Sequence, residues 1–217
     1  MAIGVALALL LAQPGQVVQD LYYVRHAETV ANATGKYNSQ TLNAISDKGQ
    51  QQIVALTKRL KDFRFDAIYV SPSARALKTI APYLRDTRQT AEIWPELYEC
   101  CHERGEARKQ PAGPLRFGPK IEPPEVIAKY FRLAPGRERY VAVSNYQEGL
   151  RQVRMCADQV RKLNQRTVLL VGHSLMGARL LSNLLGREAN IEIRNAALIR
   201  LQRLSNGTYR VANAAIP

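Results

Sequence analysis

The chain has 217 residues, 46% of them hydrophobic, and a formal net charge of +13. That length carries a real core in one compact domain, and that hydrophobic content argues against a disordered chain. The positive surplus favours anionic partners, but no zinc-finger spacing, aromatic-basic RNA motif or continuous basic helix goes with it. Its densest stretch, Arg104, Arg108, Lys109, Arg116 and Lys120, is diluted by Glu103, Glu106 and Glu122, so it reads as a solvated face and not as a specific nucleic-acid site.

In chain order, Met1 to Ala12 are all apolar or glycine. The run is too short to span a bilayer as a helix and resembles the hydrophobic part of a signal peptide, with Ala12 before Gln13-Pro14 as the candidate cleavage point. Against this, no Lys or Arg precedes the run and Leu10 is bulky for its place. The reading favours export, to the periplasm or outside the cell, with a cytoplasmic location as the alternative. Residues 1–16 are thus a prefix, and residues 17–217 form a single domain. The first strand starts near Val17 and runs through Leu21-Tyr22-Tyr23-Val24. Ser46-Asp47-Lys48-Gly49 opens a helix with Ile53, Leu56, Leu60 and Phe63 on one stripe. Asp66 to Val70 is a buried strand, ended by Ser71-Pro72-Ser73, which opens a helix from Ala74 to Leu84. Glu92 to Glu99 predicts a strand or extended segment. Residues 102–145 are rich in Pro, Gly and charge; they predict a cap insertion with one short helix near Pro124 to Phe131. A helix over Gln147 to Leu163, a strand from Thr167 to Val171, a helix from Leu175 to Leu185 and strands from Ala197 to Leu204 and after Gly207 complete the chain. Strands alternating with helices predict an α/β layered sheet. The three cysteines, Cys100, Cys101 and Cys156, have no metal-binding spacing and read as small buried hydrophobes.

Two of the three histidines close strand-like runs, in Val24-Arg25-His26-Ala27 and Val171-Gly172-His173-Ser174. In an open α/β sheet, residues at the carboxyl ends of strands face the ligand crevice. Arg75, in the first turn after the second strand, adds another guanidinium, whose planar fork suits phosphate oxygens. The helix N-terminus after Ser174 adds backbone N–H groups. A neutral imidazole can attack phosphorus, and the leaving alkoxide then needs an acid. Glu99 is the best-placed carboxylate, with Glu96, Glu103 and Glu106 as rivals. His102 reads as a cap-loop residue.

These elements resemble the histidine phosphatase superfamily, the phosphoglycerate-mutase-like proteins, in its larger branch. The matching residues are Arg25-His26 with Glu28-Thr29 and Asn32, then Ser71-Pro72-Ser73-Ala74-Arg75-Ala76-Leu77-Lys78-Thr79, Leu97-Tyr98-Glu99, Tyr146-Gln147-Glu148-Gly149 and Val171-Gly172-His173-Ser174. The resemblance implies a three-layer α/β/α sandwich with a mainly parallel central sheet and an inserted cap region. It implies a metal-independent phosphomonoesterase with His26 as phosphorylated nucleophile and Glu99 as proton donor and then base. Arg25, Arg75 and His173 would hold the phosphoryl group of a small phosphorylated substrate, and Asn32 would line the pocket. No metal and no organic cofactor is implied. Ala27 stands where the family has Gly, Ile80 follows Thr79 where the family has Ala, and Thr87-Arg88-Gln89-Thr90-Ala91 mimics the arginine element without its strand. The mutases' sequence after the glutamate is absent, so hydrolysis is preferred to a phosphoryl-transferring mutase. A phosphohistidine protein phosphatase suits a more open site, and a non-catalytic phosphate-ligand binder need not keep both acid and nucleophile.

Overall fold

The structure is a computed structural model that describes residues 15–102, 109–188 and 191–212. The apolar run from Met1 to Ala12 and the charged residues Glu103, Arg104, Glu106 and Arg108 lie outside the described residues.

The fold is built on a seven-stranded sheet in the order β5-β3-β2-β7-β1-β8-β9. Its strands are β1 (Val17–Arg25), β2 (Ala67–Val70), β3 (Ala91–Ile93), β5 (Phe131–Leu133), β7 (Thr167–Gly172), β8 (Leu198–Leu204) and β9 (Tyr209–Ala212). The run β5-β3-β2-β7-β1 is parallel, and β8 and β9 add antiparallel strands beyond β1. The central strands carry unbroken apolar runs, residues 21–24 in β1 and 168–171 in β7, because both faces are covered there. On one face Tyr22, Val24, Leu169 and Val171 pack beneath α2 (Asp47–Leu60) and α3 (Ala74–Thr87). On the other, Leu21, Tyr23, Val168 and Leu170 pack beneath α5 (Tyr146–Lys162) and α6 (Ser174–Leu185). This is the three-layer α/β/α arrangement expected. The helices start where the sequence places caps: the side chains of Ser46, Ser73 and Asn145 accept from the backbone N–H of Gly49, Ala76 and Glu148.

Some elements differ from the sequence expectation. The short helix α1 (Val30–Thr34) was not foreseen; a reciprocal capping box between Thr29 and Asn32 starts it and Gly35 ends it in the left-handed region. Glu92 to Glu99 is not one strand, since β3 stops at Ile93 and a 3-10 turn, Pro95–Leu97, follows. Pro95 lacks the N–H that a strand ladder needs. Within 102–145, β4 (Arg116–Lys120) and β6 (Arg139–Ala142) form a separate antiparallel pair, and the helix α4 is confined to Glu125–Ala128. Phe131–Leu133 leaves that excursion to become the edge strand β5 beside β3. Its three residues carry too short an alternation to be read as a strand.

Candidate active site

The parallel pairing of β1 with β7 sets Arg25 opposite Gly172, so His26 and His173 are the next residues along two neighbouring strands. The His26 backbone N–H donates to the Gly172 carbonyl at 2.9 Å. The two imidazoles meet edge to face with centroids 5.2 Å apart. His26 is 4% exposed, and its Nδ1–H donates to the Ala27 carbonyl oxygen at 2.8 Å. A carbonyl can only accept, so Nδ1 carries the proton and Nε2 keeps its lone pair. Burial, then the positive charges of Arg75 and Arg25, push the His26 pKa down to about 3.

His173 is fully buried. Arg75 Nη2 donates to its Nδ1 at 3.1 Å, which leaves the ring proton on Nε2 to donate to Ser71 Oγ at 2.7 Å. Burial, Arg75 and His26 hold its pKa well below the usual imidazole value. Its backbone is fastened as well. Tyr23 Oη accepts from the His173 N–H and donates to the His173 carbonyl, both at 2.8 Å. The Tyr23 side chain occupies the space that a Cβ would need at both glycines, its hydroxyl oxygen at Gly172 and its ring carbons, 2.5 Å away, at Gly177. Two glycines in the second-histidine segment thus admit a tyrosine from β1 below it.

A cavity of about 450 Å³ opens above these rings. Arg25, His26, Asn32, Arg75 and Glu99 all line it, whereas His173 stands behind Arg75 and His26 and does not. Arg25 Nη1 donates to the Ile193 carbonyl at 2.8 Å, and its Nε is buried without a protein partner. Arg75 also reaches Asn43 Oδ1 through Nη1 at 3.3 Å. Glu99 is half-buried; its Oε1 accepts from the Met176 N–H at 2.8 Å and the Cys100 N–H at 3.3 Å. That seats the carboxyl group on the backbone N–H groups at the first turn of α6. Asn32 Oδ1 accepts from the Asn195 amide at 3.2 Å, and the same amide donates to the His26 carbonyl at 3.0 Å. Two guanidinia, a neutral imidazole with a free lone pair and a facing carboxyl can bind a phosphoryl dianion and move one proton across it.

The departures from the family pattern resolve locally. Ala27 is fully buried, needs no left-handed backbone, and its N–H donates to Thr79 Oγ1 at 2.9 Å. Ile80 is fully buried under the sheet, as packing. Arg88 is the exposed left-handed cap of α3, apart from the cavity. Of the rival carboxylates, Glu96 is buried in an ion pair with Arg137. His102 does line the cavity, at its exposed rim. Sequence reasoning missed Tyr23, Asn43, Ser71 and Asn195 as supports, and Tyr37, Leu42, Tyr98 and Leu175 as walls. Only Ser71 carried a signal, since it ends β2 at the same sheet level as His26 and His173.

Among the described residues, no group of three His, Cys, Asp or Glu is placed to hold a metal ion, and no helix is long and apolar enough to cross a membrane. The profile of the histidine phosphatase superfamily (branch 1) matches residues 21–213, and the chain belongs to that superfamily. It is 25% identical over 191 residues to the Erwinia tasmaniensis protein named "Probable phosphoglycerate mutase GpmB", covering 84% of each chain. Over 79 residues, 36% of this chain and 39% of the other, it is 33% identical to the adenosylcobalamin/alpha-ribazole phosphatase of Escherichia coli. The fold is similar to that of the alpha-ribazole phosphatase from Shigella flexneri, with a TM-score of 0.62, 20% identity, and 92% and 98% of the two chains covered.

Proposed function

We propose that the protein is a metal-independent phosphomonoesterase working through a phosphohistidine on His26. The observation that carries this reading is the His26 tautomer: its proton is tied to the Ala27 carbonyl, so Nε2 meets the cavity as a nucleophile. Arg25 and Arg75 receive the phosphoryl oxygens, with His173 supporting Arg75 and Asn32 shaping the pocket. The Nε2 lone pair forms the N–P bond as the ester P–O bond breaks, and Glu99, as the carboxylic acid, gives its proton to the departing alkoxide. Glu99, now a carboxylate, takes a proton from water; the hydroxide forms a P–O bond, the N–P bond breaks, and His26 returns neutral with inorganic phosphate released. The test is turnover of p-nitrophenyl phosphate in excess EDTA together with trapping of acid-labile, base-stable labelled protein. Wild type is expected to turn over, His26→Ala to do neither, and Glu99→Gln to lose turnover at least about a hundredfold. Unimpaired His26→Ala would overturn the reading.

A phosphoryl-transferring mutase would use the same pocket, and the relative matched over 84% of its length bears a mutase name. Following the labelled phosphoryl group to water or to a second hydroxyl separates the two.

A further inference from the structure

Both guanidinia that line the cavity are committed to its phosphoryl end. Arg25 is anchored on the Ile193 carbonyl, and Arg75 on Asn43 and His173. Among the described residues no other Lys or Arg lines it, and the remaining charged wall group is the carboxylate-bearing Glu99. The rest of the wall is mixed: Tyr37, Leu42, Tyr98 and Leu175 give it a flat and apolar part, beside polar groups from Thr29, Asn32 and Ser174 and His102 at the rim. Tyr98 is a fixed aromatic wall. It packs edge-on against His173, with centroids 5.8 Å apart, and against Tyr140 of β6 at 5.0 Å. Tyr140 is itself fastened through its hydroxyl to the Pro72 carbonyl at 3.0 Å. Tyr37, 65% exposed, stands at the mouth with its hydroxyl 3.5 Å from the Asn32 amide.

A second anion on the alcohol portion of a substrate would lose water on entering this space, meet no further Lys or Arg among the described residues and face Glu99. A flat uncharged group would bury apolar surface between tyrosines that are already in place. We propose that the site selects phosphate monoesters whose alcohol is uncharged and carries an aromatic or comparably flat apolar group, and disfavours esters whose alcohol carries a carboxylate or a second phosphate. The inference rests on the phosphomonoesterase reading for the hydrolysis it predicts, but its binding preference does not require turnover.

The test uses the full chain and a matched pair of primary alkyl esters, 2-phenylethyl phosphate and 3-phosphoglycerate, so that leaving-group basicity does not decide the outcome. In parallel, calorimetry compares the non-hydrolysable benzylphosphonate with phosphonoacetate. The phenylethyl ester is expected to have a kcat/KM at least about tenfold higher, and benzylphosphonate to bind at least about tenfold tighter. Tyr37→Ala should weaken benzylphosphonate roughly three- to tenfold more than phosphonoacetate, while Leu175→Lys should shrink or reverse the preference. Hydrolysis of both esters with equal or reversed preference overturns the selectivity and leaves the phosphatase reading standing. Hydrolysis of neither, with benzylphosphonate still preferred, overturns the phosphatase reading and keeps the selectivity. Equal binding of the two phosphonates without hydrolysis overturns both.

Discussion

The proposed attack on phosphorus needs a deprotonated histidine, and His26 is kept so by burial and by two neighbouring guanidinia rather than by a carboxylate partner. This has a cost in acid. An unfolded imidazole takes a proton near pH 6.5, while His26 in the fold resists one until about pH 3. Between those values the unfolded state binds more protons, so stability rises with pH through that window and is lost as pH falls. His173, also lowered, acts in the same direction. Unfolding free energies of wild type and His26→Asn, measured from pH 7 to pH 4, should therefore converge or cross as pH falls, wild type losing about 1 kcal/mol more per pH unit. Parallel curves would contradict it. The residues of this site were legible because Arg25, His26, Arg75 and His173 sit at or just beyond strand ends, where hydrophobic runs stop. Asn43 and Asn195 were not, because an asparagine acquires a role only through the side chain it faces.

The elements that carry the site are held by close approaches between backbone and ring or thiol. The Tyr23 side chain fills the space beside both Gly172, with its hydroxyl, and Gly177, with its ring. Gly177→Ala would press a methyl against a ring locked in the core, and should cost about 1–3 kcal/mol in a denaturant titration and reduce turnover through the displaced His173. An unchanged midpoint would mean that the tyrosine can move. Gly149 does the same for the segment carrying Glu99: an added Cβ would lie 2.8 Å from Cys101 Sγ and 3.1 Å from the Cys101 nitrogen. The β4–β6 pair is tied down by another helix start. Glu148, in the first turn of α5, accepts from the N–H groups of Ser144 at 2.7 Å and Gly113 at 3.1 Å and pairs with Arg116. Glu148→Ala leaves those donors without an acceptor; about 2 kcal/mol of lost stability and faster limited proteolysis within residues 109–145 are expected. The long helices and buried strands were legible from their periods. β3 was read too far, to Glu99; α1 and β5 were not legible, since neither shows a bounded apolar run, and the β4–β6 pairing depends on contacts distant in sequence.

At the scale of the molecule, the three thiols are buried and unbridged, and Cys100 and Cys156 are pushed well above the ordinary thiol pKa by their surroundings. They should stay silent to a thiol reagent in the folded protein, and all three should react in denaturant; rapid reaction of the native protein would show that the Glu99 segment opens. The sheet order has a consequence for how the chain is made. β1 is synthesised early yet lies between β7 and β8, whose residues begin at Thr167 and Leu198. At ribosomal rates of roughly 5–20 residues per second, its apolar edges wait on the order of ten seconds for their neighbours. During that interval His26 lacks His173, so on the proposed mechanism a nascent or truncated chain ending before β7 is expected to show no turnover, and it presents an unpaired hydrophobic strand to chaperones.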